Sequence, residues 1–119
     1  MAETGRRIEV TPFPGRITVR LAGTIVAESG EALALSEGSY PVVYYVPQKD
    51  LRPDAFEPSA HRTHCPFKGD ASYFHIVAKG TRAENAAWSY RTPIEGTAAI
   101  AGHVAFYPDK VEIEVTPAR

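Results

Sequence analysis

Residues Arg16–Leu21 read RITVRL, polar and apolar in strict alternation, and Gly23 ends the pattern before it reaches helical length. A period of two sets Ile17, Val19 and Leu21 on one face of a half-buried strand. TIVAES repeats the pattern, Ser29-Gly30-Glu31 supplies a turn, and ALALSEG places Leu33 and Leu35 on a shared face. Alanine and leucine favour helices, but Gly30 and Gly38 leave too few residues between them for a stable one. The expected unit is a meander of antiparallel strands. PVVYYVP is β-branched and aromatic, which suits a strand buried on both faces.

Further along, Pro47, Pro53 and Pro58 interrupt any long periodic element, so this stretch is expected to be a loop with a short helical turn. ASYFHIVA then reads as a strand with Tyr73, His75 and Val77 on one face and Ser72, Phe74 and Ile76 on the other. GTRAEN reads as irregular and AAWSY as a short strand. HVAFY and VEIEV alternate on either side of Pro108-Asp109-Lys110, whose residues suit a type I turn, so a C-terminal hairpin is expected. The fold class is therefore mainly β: a single small antiparallel domain over residues 1–119, two packed sheets or barrel-like, with one or two short helical turns. Residues 1–15 read as an irregular N-terminal arm.

At 119 residues such a domain buries about 65% of the surface its unfolded chain exposes, enough for a hydrophobic core. Cys65 is the only cysteine, so no intramolecular disulfide forms, and the start MAETGRRIEV is charged where a secretory signal is apolar. A cytoplasmic location is the expectation. Apolar runs such as Tyr40–Pro47 fall far short of the roughly 20 residues that span a bilayer, which excludes a membrane helix. Thirteen Lys and Arg against fourteen Asp and Glu leave no basic field for nucleic acid. Only between His61 and Arg91 does the balance tilt: Arg62, Lys68, Lys79, Arg82 and Arg91 face Asp70 and Glu84. The pattern carries no signal for or against a homo-oligomer.

The chemistry concentrates in HRTHCPFKGDASYF, His61 to Phe74. Pro66 keeps Cys65 extended, and Phe67-Lys68-Gly69-Asp70 has the residues of a turn with Gly69 in the left-handed region, giving strand, turn, strand. Extended neighbours point apart, so His64 beside Cys65 is poor evidence for a catalytic dyad. Cys65, with His64 and Lys68, is nonetheless the candidate set for nucleophilic chemistry, because nearby cations lower a thiol pKa. The competing reading is a small buried hydrophobe at a strand end. His61, His64, Cys65 and His75 together lack the paired cysteines of structural zinc sites, and no metal or other cofactor is expected. The Lys68-Gly69 pair lacks the glycine-rich run of a phosphate-binding loop.

An aromatic-lined pocket remains. Trp88 and Tyr90 share a strand face and Tyr73 offers a third ring, with Lys68 and His75 as polar groups, although aromatics on strands also serve simply as core. The leading expectation is a small molecule or modified group bound beside the CPFKG turn. The alternatives are an enzyme using Cys65 or a histidine in group transfer or hydrolysis, and a scaffold with no chemistry.

CPFKG followed by Ala71 and Tyr73, AWSY ahead of Pro93, Ile100-Ala101-Gly102 and VAFY occur here in an order that resembles the domain-of-unknown-function family number 427, also labelled nucleotidyltransferase-like. The resemblance runs from about Ile17 onward. It implies a compact, mostly antiparallel β-domain and brings no activity to particular residues. The paired acidic ligands of polymerase-type nucleotidyl transfer, Asp-x-Asp after a Gly-Ser turn, are not in this sequence.

Overall fold

The computed structural model describes residues 8–94 and 96–118. Ten strands follow in order: β1 (Ile8–Pro12), β2 (Arg16–Leu21), β3 (Thr24–Ser29), β4 (Leu33–Glu37), β5 (Val43–Tyr45), β6 (Phe56–Cys65), β7 (Gly69–Ala78), β8 (Thr81–Tyr90), β9 (Val104–Phe106) and β10 (Glu112–Thr116). They form three antiparallel sheets, β1-β4-β5, β10-β2-β3 and β6-β7-β8-β9. Val46 and Val104 exchange backbone hydrogen bonds of 2.8 and 2.9 Å, which ties the end of β5 to β9 and joins two of the sheets along one edge. Single 3-10 turns at Gln48–Asp50, Pro53–Ala55 and Ala98–Ile100 are the helical content among the described residues. The mainly β, antiparallel fold class is as the alternation predicts.

Packing explains why these strands hold. Ile17 and Val19 of β2, Val26 of β3, Ile76 of β7, Ala86 of β8 and Val104 of β9 are all almost fully buried in one aliphatic cluster between the β10-β2-β3 sheet and the four-stranded sheet. Burying each Val or Ile contributes about 1.5–3 kcal/mol. A second cluster lies beyond it and is aromatic: Tyr45, Tyr73 and Tyr90 are buried with Leu35, Ile100 and Ala105, and Trp88, Tyr107 and Cys65 pack against them partly buried.

The turn read at Gly23 is present, and the structure adds a second tight hairpin at Gly80 that the sequence reading did not name. Ala22 and Gly23 have φ of 52° and 78° between β2 and β3. Positive φ at both central residues is the twist that a two-residue hairpin turn needs. The turn at Lys79 and Gly80, with φ of 49° and 74°, does the same for β7 and β8. The turn expected at Phe67–Asp70 falls instead at Pro66–Lys68, because Gly69 and Asp70 already pair with Cys65 and His64 as the start of β7; Gly69 keeps the expected positive φ, +112°.

Several details differ from the sequence expectations, each because a tertiary partner wins. The expected C-terminal hairpin does not form: β9 pairs with β8, while β10 crosses to β2, where Ile113 and Val115 lie opposite Val19 and Ile17. The Pro108 turn exists, but the Lys110 and Val111 amides both donate to the Tyr107 carbonyl and turn the chain out of plane toward the open edge of β2. The meander is likewise broken after β3, since β4 leaves to pair with β1 and β5. Ile8–Pro12, inside the stretch read as an irregular arm, pair as β1, and residues 1–7 lie outside the described residues. PVVYYVP is a strand only over Val43–Tyr45, with Val42 exposed.

GTRAEN is not irregular but the first half of β8. Its irregularity is a bulge at Asn85, φ 51°, that faces a second bulge in β6 between Pro58 and Arg62. Ser59 Oγ donates to Asn85 Oδ1 at 2.6 Å, and His75 Nδ1 accepts the Asn85 amide at 3.0 Å, so side chains satisfy the polar groups that the bulges displace. The bulges also switch the phase of burial along β7. Ala71 and Tyr73 are buried before them and Ile76 and Ala78 after them, so Tyr73, His75 and Val77 do not behave as one face.

Candidate functional site

Two adjoining hollows open beside the aromatic cluster. The outer cleft, about 640 Å³, runs between the segment joining β4 to β5 and the segment joining β9 to β10, with Tyr40, Val42, Tyr44, Phe106, Pro108 and Val115 among its walls. Tyr40, Val42 and Val115 are also among the few exposed large hydrophobic residues. An inner chamber of about 180 Å³ lies against Tyr45, Lys68, Tyr73 and Tyr90. Glu37, Tyr40, Pro41, Val43, Trp88 and Tyr107 line both, so the two hollows share a wall.

Each chamber residue is held by its own element. Lys68 leaves the Pro66–Lys68 turn, pinned because its amide donates to the Cys65 carbonyl and its carbonyl accepts from the Ile94 amide. Its Nζ lies 2.9 Å from Glu37 Oε1, with the side chains only 12% and 10% exposed. A buried ion pair of this kind adds little net stability, but removing one partner strands the other, so it fixes the turn over the end of β4. Tyr73 and Trp88 lie directly opposite across β7 and β8.

The hydroxyls of this cluster fall into two groups. Tyr73 Oη is engaged, 2.9 Å from Thr63 Oγ1 and 3.4 Å from the Tyr107 hydroxyl, while its ring stacks on Tyr107 and meets His61 edge-on. Trp88 Nε1–H donates to the Tyr45 hydroxyl at 3.3 Å, and its ring tilts against Tyr107 at 4.5 Å. Tyr90, only 5% exposed, makes no hydroxyl hydrogen bond among the described residues. Burial pushes the Tyr45 phenol up to about 12 and raises those of Tyr90 and Tyr107 as well. At neutral pH all three are O–H groups that donate and accept hydrogen bonds, and none is a ready base.

Of the residues singled out from sequence, Lys68, Tyr73, Trp88 and Tyr90 meet in the chamber. Cys65 packs partly buried against the same cluster, and no hydrogen bond among the described residues joins its sulfur to an imidazole. His64 falls elsewhere: it is exposed on β6, its Nδ1 2.6 Å from Asp70 Oδ1, in a shallow polar depression with Arg62 and Arg91. His75 is spent at the β8 bulge and lines neither hollow. Among the described residues no three His, Cys, Asp or Glu side chains converge to hold a metal ion. No helix there is long and apolar enough to cross a membrane.

Sequence reasoning missed Glu37, Tyr45 and Tyr107. A signal for the first was present, because the alternation that sets Leu33 and Leu35 on the inner face also turns Glu37 inward. A carboxylate on a buried face needs a partner, and Lys68 supplies it.

Residues 9–117 match the model of a family described as a domain of unknown function, DUF427. The chain belongs to that family. The match takes in β2 through β10 whole and all but the first residue of β1, so the DUF427 domain and the three-sheet fold coincide. The stretches CPFKG, AWSY and VAFY bring Lys68, Trp88, Tyr90 and Tyr107 to the walls of the chamber, and β4, β5 and the segment between them supply most of the rest. No curated protein matches the chain.

Proposed function

We propose that this DUF427 domain binds a small, largely apolar molecule in the outer cleft, with the inner chamber receiving one end of it. The observation that carries this is the shared wall of the two hollows: an open, mostly hydrocarbon surface leads to a confined space edged with phenols and a compensated ion pair. Pockets that hold small ligands have this composition, apolar walls with a few placed polar groups. Three of the exposed large hydrophobic side chains sit around one cleft, and water leaves such a surface readily when a ligand covers it.

The test is a thermal-shift screen of small aromatic and aliphatic compounds. A ligand present at a hundred times its dissociation constant stabilises the folded state by about 2.7 kcal/mol, a readable rise in melting temperature. Val42→Glu places a charge on the rim at an exposed position and is expected to leave the fold intact while abolishing the shift. Shifts that survive Val42→Glu, or none across a broad library, would refute binding in this cleft.

A further inference from the structure

We infer that the inner chamber selects an uncharged head group that accepts hydrogen bonds, a ketone or amide carbonyl, and that Tyr90 with Tyr45 donates to its oxygen. This rests on the cleft being a ligand site and adds the chemistry of the group at its inner end.

The donors are counted directly. Tyr90 is 5% exposed and lines the chamber, yet its hydroxyl has no hydrogen-bond partner among the described residues. Tyr45 is 1% exposed, lines the same chamber, and accepts from Trp88 Nε1–H, so its own proton has no acceptor among the described residues. Tyr45 therefore brings a buried hydroxyl with its proton unspent, and Tyr90 an unpartnered hydroxyl that is not sealed from solvent, Thr24 Oγ1 being the one buried side-chain polar atom without a partner among the described residues. A ligand oxygen that accepts from both hydroxyls satisfies the Tyr45 proton and takes the place of water at Tyr90. Tyr73 differs, because its hydroxyl already bonds to both Thr63 Oγ1 and the Tyr107 hydroxyl.

The charges argue against an ionic head. Lys68 and Glu37 are paired at 2.9 Å with side chains about nine-tenths buried. A ligand carboxylate that recruits Lys68 pulls it from Glu37 in a poorly hydrated site, and an ammonium that recruits Glu37 does the converse. The volume of about 180 Å³ suits a head of a few heavy atoms, with the hydrocarbon body left in the outer cleft.

The experiment uses four probes on one phenyl frame: ethylbenzene, acetophenone, benzoate and phenyltrimethylammonium. Binding is read from the NMR shift of the Trp88 indole N–H, the chain's only indole and part of both walls. Acetophenone is expected to bind at least tenfold more tightly than either ion. Tyr90→Phe is expected to weaken acetophenone by about three- to tenfold, the worth of one hydrogen bond, and to leave ethylbenzene unchanged. Either ion binding as well as acetophenone, or acetophenone indifferent to Tyr90→Phe, would overturn the assignment. If ethylbenzene binds while that discrimination is missing, only the head-group inference falls. If neither ethylbenzene nor acetophenone binds, the cleft itself is not a ligand site and both fall together.

Discussion

The aliphatic cluster around Ile17, Val19 and Ile76 and the aromatic cluster around Tyr45, Tyr73 and Tyr90 are both buried, yet they are built on different terms. The first combines aliphatic side chains with phenylalanine rings, Phe56 meeting Phe74 and buried Phe106 edge-on, and its buried members carry no side-chain polar atom. Such residues interdigitate to crystal-like density. The second uses planar rings with polar tips. Rings meet edge-on or tilted, as Tyr45 does with Trp88 and Trp88 with Tyr107, and each hydroxyl asks for a partner. Beside this cluster the packing leaves a chamber. The contrast teaches where shaped polar space arises: the inner chamber is lined by the ring cluster and by none of the buried residues of the first.

The sharpest way to break the comparison is to truncate one residue in each cluster. Ile76→Ala, at a position with no exposure, should cost about 2–5 kcal/mol in denaturant unfolding because it removes methyl groups and leaves a void. Trp88→Ala should cost less than the about 3–5 kcal/mol usual for a buried tryptophan, since Trp88 is half-buried and already lines both hollows. Equal losses in spite of Trp88's larger side chain would still fit. A Trp88→Ala loss well above that of Ile76→Ala would make the aromatic region the true core.

Alkali offers a third test. The folded Tyr45 phenol titrates at about 12 against 10.0 for an ordinary tyrosine, because burial disfavours the phenolate. Between these values the unfolded chain has lost a proton that the folded chain keeps, so stability is intact below pH 10 and falls as the pH rises toward 12. One such group gives a slope of about 1.4 kcal/mol per pH unit. Tyr45→Phe should flatten the decline, whereas Ile76→Ala should lower the whole curve without changing its slope.

The smallest effect separates the hydroxyls within the aromatic cluster. Tyr73→Phe loses a bond to Thr63 and should cost about 1 kcal/mol, while Tyr90→Phe removes a hydroxyl without a partner among the described residues and should be neutral or slightly stabilising. A clear loss of stability from Tyr90→Phe would show that its hydroxyl is satisfied within the protein and that the chamber has one donor fewer to offer.

Local signals carried well in this chain. The alternation in RITVRL and TIVAES, with Gly23 between them, yields the β2-β3 hairpin, and the positive φ expected of Gly69 is present although the turn itself lies one residue earlier, at Pro66–Lys68, because these depend on side-chain period and on glycine's access to positive φ. Where pairing was chosen between distant strands, the same signals misled. VEIEV fits a hairpin with HVAFY as well as it fits the edge of β2, and only the edge lets Ile113 meet the aliphatic cluster.

The site divided in the same way. Tyr73, Trp88 and Tyr90 were legible as a ring cluster because they fall on facing strands close in sequence. His64 and His75 were legible as polar residues but not by destination, since the exposed pairing with Asp70 and the bulge at Asn85 depend on register. The linear pattern determined the strand class, the positive φ of Gly69 and the inward orientation of Glu37, all consequences of nearest-neighbour geometry. Only the tertiary structure decided that β4 and the CPFKG turn meet, so that Glu37 neutralises Lys68 and Tyr45 and Tyr90 line one chamber. Those contacts join residues 31 and 45 positions apart, where no local period reaches and where only the burial of both sheets together sets the distance.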